Sequence, residues 1–184
     1  VFNPSTIPSF LHTVVGAMMV GAFFVMGVCS WYLLKKRHVE FSRRSFVVAL
    51  GFAVVFSIFQ LSMGHWHGIL VGEKQPEKLA AMEGLFETTD HAPLSVIGWP
   101  SAEKEKVYFE ISIPSLLSLF LSGDADTVVK GLDTVEKEDW PPLAWTYVPY
   151  HLMFLLGTFF IIITVVGVLL LWRNKLFESR WFLW

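Results

Sequence analysis

Histidine and methionine are the residues that stand out in this sequence, because each interrupts a long apolar run and each can bind a metal through a lone pair. His12 lies in Phe10-Leu11-His12-Thr13-Val14. Tyr147-Val148-Pro149-Tyr150-His151-Leu152-Met153 opens another apolar run near the C-terminus. An ionisable side chain at membrane depth is a functional candidate by default. His12 is therefore either a ligand or a neutral histidine bonded to a neighbouring helix. Imidazole and thioether are both axial ligands of haem iron, and a His/Met pair makes a six-coordinate electron-transfer centre. His12 precedes Lys35 by 23 residues and Met153 precedes Arg173 by 20. On helices these are about 35 and 30 Å from the two charged ends, so the side chains are expected at similar depth. Gly16 and Gly157 follow His12 and Met153 at i+4, on the same helix faces. There they leave room for a flat macrocycle or for a closely packed helix. His151 competes with Met153 as the ligand, but points about 200° away around the helix. It is also a candidate contact for a haem propionate.

Two further groups are weaker. His65 and His67, in Gly64-His65-Trp66-His67-Gly68, have no third ligand nearby in sequence. Glu103, Lys104, Glu105, Lys106 and Glu110 precede an apolar stretch. A quinol oxidation site needs a base, a polar group for the quinone oxygen and an apolar wall. This segment offers all three, although a solvated charge run explains the same residues.

The elements that must position these groups are membrane helices. Of the 184 residues, 54% are hydrophobic and 16% charged, against about 25% charged in ordinary soluble domains. Residues 1–34, 45–72 and 140–172 contain no Asp, Glu, Lys or Arg. Each is longer than the roughly 20 residues that cross a bilayer. The first lacks the basic flank of a signal peptide and is too long for one. The expected architecture is an all-α membrane protein with three transmembrane helices and a large external loop between the second and third. Helices are expected over 7–34, 45–64 and 142–172, a basic loop over 35–44, the external loop over 65–139, and a cytoplasmic segment opening a further helix over 173–184. The 35–44 loop carries five Lys and Arg, which places it inside by the positive-inside rule. The 65–139 region, with 14 of the 16 acidic residues, then lies outside. Turns are expected at Ala92-Pro93, Gly98-Trp99-Pro100 and Ser122-Gly123-Asp124. Gln75 to Glu87 has helical periodicity, and the short apolar run Ile113 to Leu121 is too short to span. Cys29 is expected to pack only. No basic patch suits nucleic acid. The sequence lacks an initiator Met and is expected to be a segment of a longer protein.

Four strings together resemble subunit I of the cytochrome bd quinol oxidases. They are Asn3-Pro4-Ser5-Thr6 with Phe10-Leu11-His12-Thr13-Val14; Gln75-Pro76-Glu77-Lys78-Leu79-Ala80-Ala81-Met82-Glu83-Gly84 with Glu87-Thr88; Ile97-Gly98-Trp99-Pro100 leading to Glu110-Ile111-Ser112-Ile113-Pro114; and Tyr150-His151-Leu152-Met153. The resemblance covers the chain from the family's fifth helix, through its quinol-binding Q-loop of the short type, to the start of its eighth. It implies that His12 and Met153 are the axial ligands of a low-spin b-type haem. It implies a Q-loop Lys/Glu pair, for which Lys106 and Glu110 are the candidates. Some members carry Arg at the position of His151. Further haems b and d belong to the whole enzyme, with ligands outside this segment. The implied partners are ubiquinol or menaquinol, a second oxidase subunit, the remainder of subunit I, and lipid. The setting is a bacterial or archaeal cell membrane, crossed several times, with the Q-loop outside. The expected function is quinol oxidation at the outer face, with electrons passed to the low-spin haem in the service of reducing oxygen to water. The segment alone is expected to be inactive. A haem-binding electron-transfer module without its own quinol site is the alternative.

The orientation is testable. Single cysteines placed within 73–139 are expected to react with an impermeant thiol reagent added outside intact cells, and those within 35–44 only after permeabilisation. The reverse pattern would invert the topology.

Overall fold

The computed structural model describes residues 3–184. Its helices are α1 (Thr6–Leu34), α2 (Val39–Lys74), α3 (Pro76–Glu83), α4 (Leu116–Ser122), α5 (Leu143–Trp172) and α6 (Arg180–Leu183), with a hairpin of β1 (Leu94–Ser101) and β2 (Lys106–Ile113). α1, α2 and α5 are long and apolar enough to cross a membrane. The chain divides into two compact units: the described residues up to Gly64 with Gly157–Trp184, and His65–Leu156.

The first unit packs through small residues. Ala22, Met26 and Cys29 of α1 meet Phe46, Ala49, Leu50 and Ala53 of α2, with Leu176 and Leu183 closing the cluster. Alanine lets helix backbones approach closely, which drives association where lipid is as apolar as leucine. A Cβ on Gly167 would stand 3.0 Å from Leu50 Cδ1 and 3.1 Å from Phe182 Cζ, so glycine is what admits those side chains. The outward faces stay apolar and open, with Phe24 72% and Ile58 64% exposed. Surface of this kind is stable against lipid or further helices and costly against water.

α2 is longer than the 45–64 span at both ends. It starts within the basic stretch, where Arg44 bonds Glu40 one turn back at 2.7 Å. It runs on to Lys74 because nothing breaks it before Gln75-Pro76: proline disfavours helical backbone in the residue before it and itself suits a first helical position. Gln75 accordingly leaves the helical region, and Pro76 begins α3. On the second-unit portion of α2, Gly68 and Gly72 clear one face. Cβ atoms there would meet Phe120 at 3.1 Å, and Leu121 and Leu79 at 3.2 and 3.3 Å. α4 therefore seats on that face, and Leu117 becomes fully buried with Leu79, Ala92, Leu94 and Val129. His65 meets the Phe120 ring edge-on at 4.4 Å.

The hairpin corrects one expectation: within the 65–139 region, beside its helices, Gly98-Trp99-Pro100 lies inside β1 instead of forming a turn. The reversal falls instead between Ser101 and Lys106, with Glu105 at positive φ. Val107-Tyr108-Phe109-Glu110-Ile111-Ser112-Ile113 is rich in β-branched and aromatic residues, the composition that suits a pleated surface. Register shifts between Ser95, Ile97 and Trp99 mark bulges. Beyond the hairpin, Thr88 donates to Asp133 through its amide and its hydroxyl at 3.0 and 2.7 Å, and these bonds hold the Asp133 carboxyl below the usual carboxylate range. Trp140 Nε1 donates to the carbonyls of Leu132 and Val135 at 3.1 and 3.3 Å.

Gly131 is required where these segments cross. A Cβ there would lie 2.4 Å from the Glu87 carbonyl carbon and 2.7 Å from Thr88 N, and neither backbone atom can swing aside. Gly131→Ala is expected to destabilise the second unit by about 2 kcal/mol or more. Faster limited proteolysis between residues 86 and 135 would register it.

Candidate functional site

The second unit contains one buried carboxyl among its described residues, and it is neither of the two candidates taken from the hairpin. Glu83, at the C-terminal end of α3, is 3% exposed. Gly84 ends α3 in the left-handed conformation at φ 69°, which suits glycine at a helix C-terminus. Its lack of a side chain also admits Val107 and Tyr147, to which a Cβ would come within 2.6 and 3.1 Å. Closing the helix there leaves the Glu83 side chain between β1 and α5. Tyr150 donates its hydroxyl to Oε1 at 2.6 Å, and the Ser95 amide donates to Oε2 at 3.2 Å. Burial pushes the carboxyl up to about 7, and the nearby Glu110 charge adds to this; the Tyr150 and Ser95 bonds pull the other way.

Three residues of α5 face this carboxyl region because helical spacing brings i, i+3 and i+4 together. Tyr147 is 1% exposed, and its hydroxyl lies 2.6 Å from Ser95 Oγ. His151 stacks on Tyr147 with ring centres 3.8 Å apart. Its Nδ1 is 2.9 Å from the Tyr147 carbonyl and its Nε2 3.0 Å from the Ser95 carbonyl. Both oxygens are acceptors, and a neutral imidazole has a single N–H to give. A propionate contact or an iron bond at His151 would have to replace one of these.

Lys106 and Glu110 are exposed positions of β2. The Lys106 ammonium lies over the Tyr108 ring at 4.6 Å, and no ion pair joins it to Glu110 among the described residues. Glu110 belongs to the site through its field, felt at Glu83. Sequence reasoning passed over Glu83 as part of an amphipathic helix. The available clue was its place in the string with the most specific family resemblance.

In the first unit, His12 is half-buried, and its Nε2 is 3.0 Å from Gln60 Nε2 of α2. Gly64 lies beside the ring, where a Cβ would make an ordinary contact with His12 Cε1 at 3.5 Å. Gly16 faces the same Gln60, whose Nε2 would be 3.4 Å from an added Cβ. Gln60 Oε1 is buried with no hydrogen-bond partner among the described residues. A buried orphan acceptor beside an imidazole is a polar site with capacity left over. Gly157 opens onto free space, and Met153 of α5 is 49% exposed. No cluster of three or more His, Cys, Asp or Glu suited to a metal ion occurs among the described residues. A b-type haem asks for less, since it brings four ring nitrogens and needs only axial donors. Imidazole and thioether fit that need.

Comparisons with known proteins identify the family. A family model described as cytochrome bd terminal oxidase subunit I matches residues 1–184. A Bacillus subtilis (strain 168) protein provisionally named a cytochrome bd menaquinol oxidase subunit I is 37% identical over 187 residues, covering 100% of this chain and 42% of its own length. The cytochrome bd-II ubiquinol oxidase subunit 1 of Escherichia coli (strain K12) is 37% identical over 144 residues, covering 78% of this chain and 28% of the relative. The solved bd oxidase from Geobacillus thermodenitrificans superposes with a TM-score of 0.90 at 29% identity, over 99% of this chain and 42% of that one. The sequence thus spans less than half the length of these relatives. Helices, sequence and superposition point the same way over the whole chain, which belongs to the cytochrome bd terminal oxidase subunit I family.

Proposed function

We propose that this chain is the electron-entry part of a terminal oxidase, oxidising quinol at the outer membrane face and holding the low-spin b-type haem that receives the electrons. The observation that carries the quinol half is Glu83, a buried carboxyl held by the Tyr150 hydroxyl and the Ser95 amide, which burial pushes up to about 7. Oxidising one quinol releases two electrons and two protons. A base is best matched to that work when its proton affinity lies near the operating pH. Glu83 accepts a proton, Tyr150 and the Ser95 amide orient its two oxygens, and Glu110 and Lys106 supply exposed polar groups on β2. The exposed Trp99 and Ile97 of β1 offer an apolar wall. Protons leave on the outer side.

His12 and Met153 would be the residues that hold the haem iron, and the haem would supply a one-electron acceptor. The substrate is menaquinol or ubiquinol, the names the relatives carry. The remainder of subunit I and a second subunit complete the enzyme in the cell membrane and contribute the haems b and d that reduce oxygen.

In the full-length oxidase, Met153→Leu is expected to convert the low-spin haem from six- to five-coordinate or to lose it. His12→Ala should lose it more completely, and His151→Ala should keep a six-coordinate spectrum. Optical and electron paramagnetic resonance spectra decide. Loss with His151→Ala and retention with Met153→Leu would make the centre bis-histidine.

Glu83→Gln is expected to slow quinol-driven haem reduction by about 100-fold while sparing the oxidised haem spectrum. A full rate would remove Glu83 as the acceptor. Haem reduction by dithionite but never by quinol in the wild-type enzyme would favour a module without its own quinol site.

The same carboxyl gives a pH signature. Its folded pKa is raised, so its contribution to stability is fully present below the ordinary carboxylate value and is lost as pH rises towards 7. The second unit should lose up to about 3 kcal/mol between pH 4.5 and 8. Hydrogen exchange of the 94–101 amides should accelerate accordingly in wild type and stay flatter in Glu83→Gln.

A further inference from the structure

The Glu83 carboxyl is held entirely by other elements. Oε1 takes the Tyr150 hydroxyl from α5, and Oε2 takes the Ser95 amide from β1. No lysine, arginine or histidine forms an ion pair with it among the described residues. The groups acting on it are Tyr147 and Tyr150 from α5, Ser95 from β1 and Glu110 from β2. The only full charge acting on it among its causes of shift, Glu110, opposes its ionisation. A buried anion without a counter-ion depends on its hydrogen-bond donors, and a donor to the charged form favours that form. One of the two donors is a backbone amide, which substitution by any residue but proline leaves in place. The other is Tyr150.

Tyr150 is well anchored for this work. Its ring stands edge-on to His151 at 5.2 Å, and His151 is tied to β1 through the Ser95 carbonyl. It also lies three residues before Met153, on the same side of α5. The hydroxyl that holds the proton acceptor and the candidate sulfur ligand therefore sit within one helical turn.

We propose that Tyr150 is a positioning residue for Glu83, its hydroxyl fixing the carboxyl between β1 and α5 and holding it in the deprotonated form that accepts the quinol proton. The functional part of this inference rests on Glu83 being that acceptor.

The test uses the full-length oxidase. Tyr150→Phe keeps the ring and removes the donor. The acidic limb of the pH profile of quinol oxidation should move up by about one pH unit, a loss of roughly tenfold in rate at pH 6 that shrinks to about twofold at pH 8 and disappears above it. A merely structural role would lower the rate at every pH without moving the limb. Difference infrared titration reads the carboxyl directly, with the band assigned by its disappearance in Glu83→Gln. Its midpoint should rise in Tyr150→Phe. Incorporating 3-fluorotyrosine at position 150, which preserves shape and strengthens the donor, should lower it, and this variant carries the test if Tyr150→Phe does not assemble. An unmoved infrared midpoint overturns the inference and leaves Glu83 as acceptor intact. A moved midpoint combined with full quinol oxidation in Glu83→Gln upholds the positioning of the carboxyl and overturns its role as acceptor.

Discussion

Ser95 is the point on which the second unit turns. It is 2% exposed, and all three of its polar groups are engaged: the amide with Glu83, the hydroxyl with Tyr147, and the carbonyl with His151. A buried polar group left unpaired costs about as much as several packed methyl groups contribute. These groups satisfy one another only when α3, β1 and α5 are in register. The hairpin cannot slide along α5 without stranding a carboxyl, a hydroxyl and an imidazole together. Gly84 and Gly98 let this happen, because side chains there would collide with Val107 and Tyr147. Polar pairing and glycine clearance thus specify one arrangement, where apolar packing alone would accept several.

Placing a carboxyl at the centre of that network has a chemical consequence. A solvated glutamate is ionised throughout the physiological range and takes up a proton poorly. The same side chain at 3% exposure, with a second carboxylate nearby and no ion pair among the described residues, is pushed up to about 7 by burial. The stability this costs is met by the surrounding clusters of leucine and alanine, Leu79, Leu94 and Leu117 on one side and Ala80, Ala81 and Leu132 on the other. Strain of this sort is common where proton chemistry is done.

The first unit obeys a different solvent. Its helices gain little from burying leucine against leucine when lipid is the alternative, so contacts run through alanine, glycine and a few hydroxyls. Ser57 donates to Met19 Sδ at 3.5 Å, and Thr164 returns its hydroxyl to the Phe160 carbonyl at 2.7 Å. His12 and Gln60 form a polar pair amid these apolar faces. Polar groups at such depth are expensive, and they mark the places where a membrane helix does more than span.

The sequence determined the three spanning helices, because length and absence of charge are local properties that a bilayer reads directly. It also determined the family, which four short strings carried and which the whole-chain comparisons bear out. The helical placement of His12, Met153 and the glycines one turn on followed from spacing, which is known before the fold is. The hairpin was less so, since its strands alternate weakly and Gly98-Trp99-Pro100 imitates a turn; pairing with β2 overrides that local preference. Glu83 was legible only as a member of one family string, not as a buried group. Along the chain it is one more acid on a short amphipathic helix, beside Glu77 and Lys78. It acquires its properties from Ser95, 12 residues on, and Tyr150, 67 residues on. Burial and hydrogen bonding across such distances are set by tertiary packing, so only the folded chain could single out, among the described residues, the carboxyl that is buried.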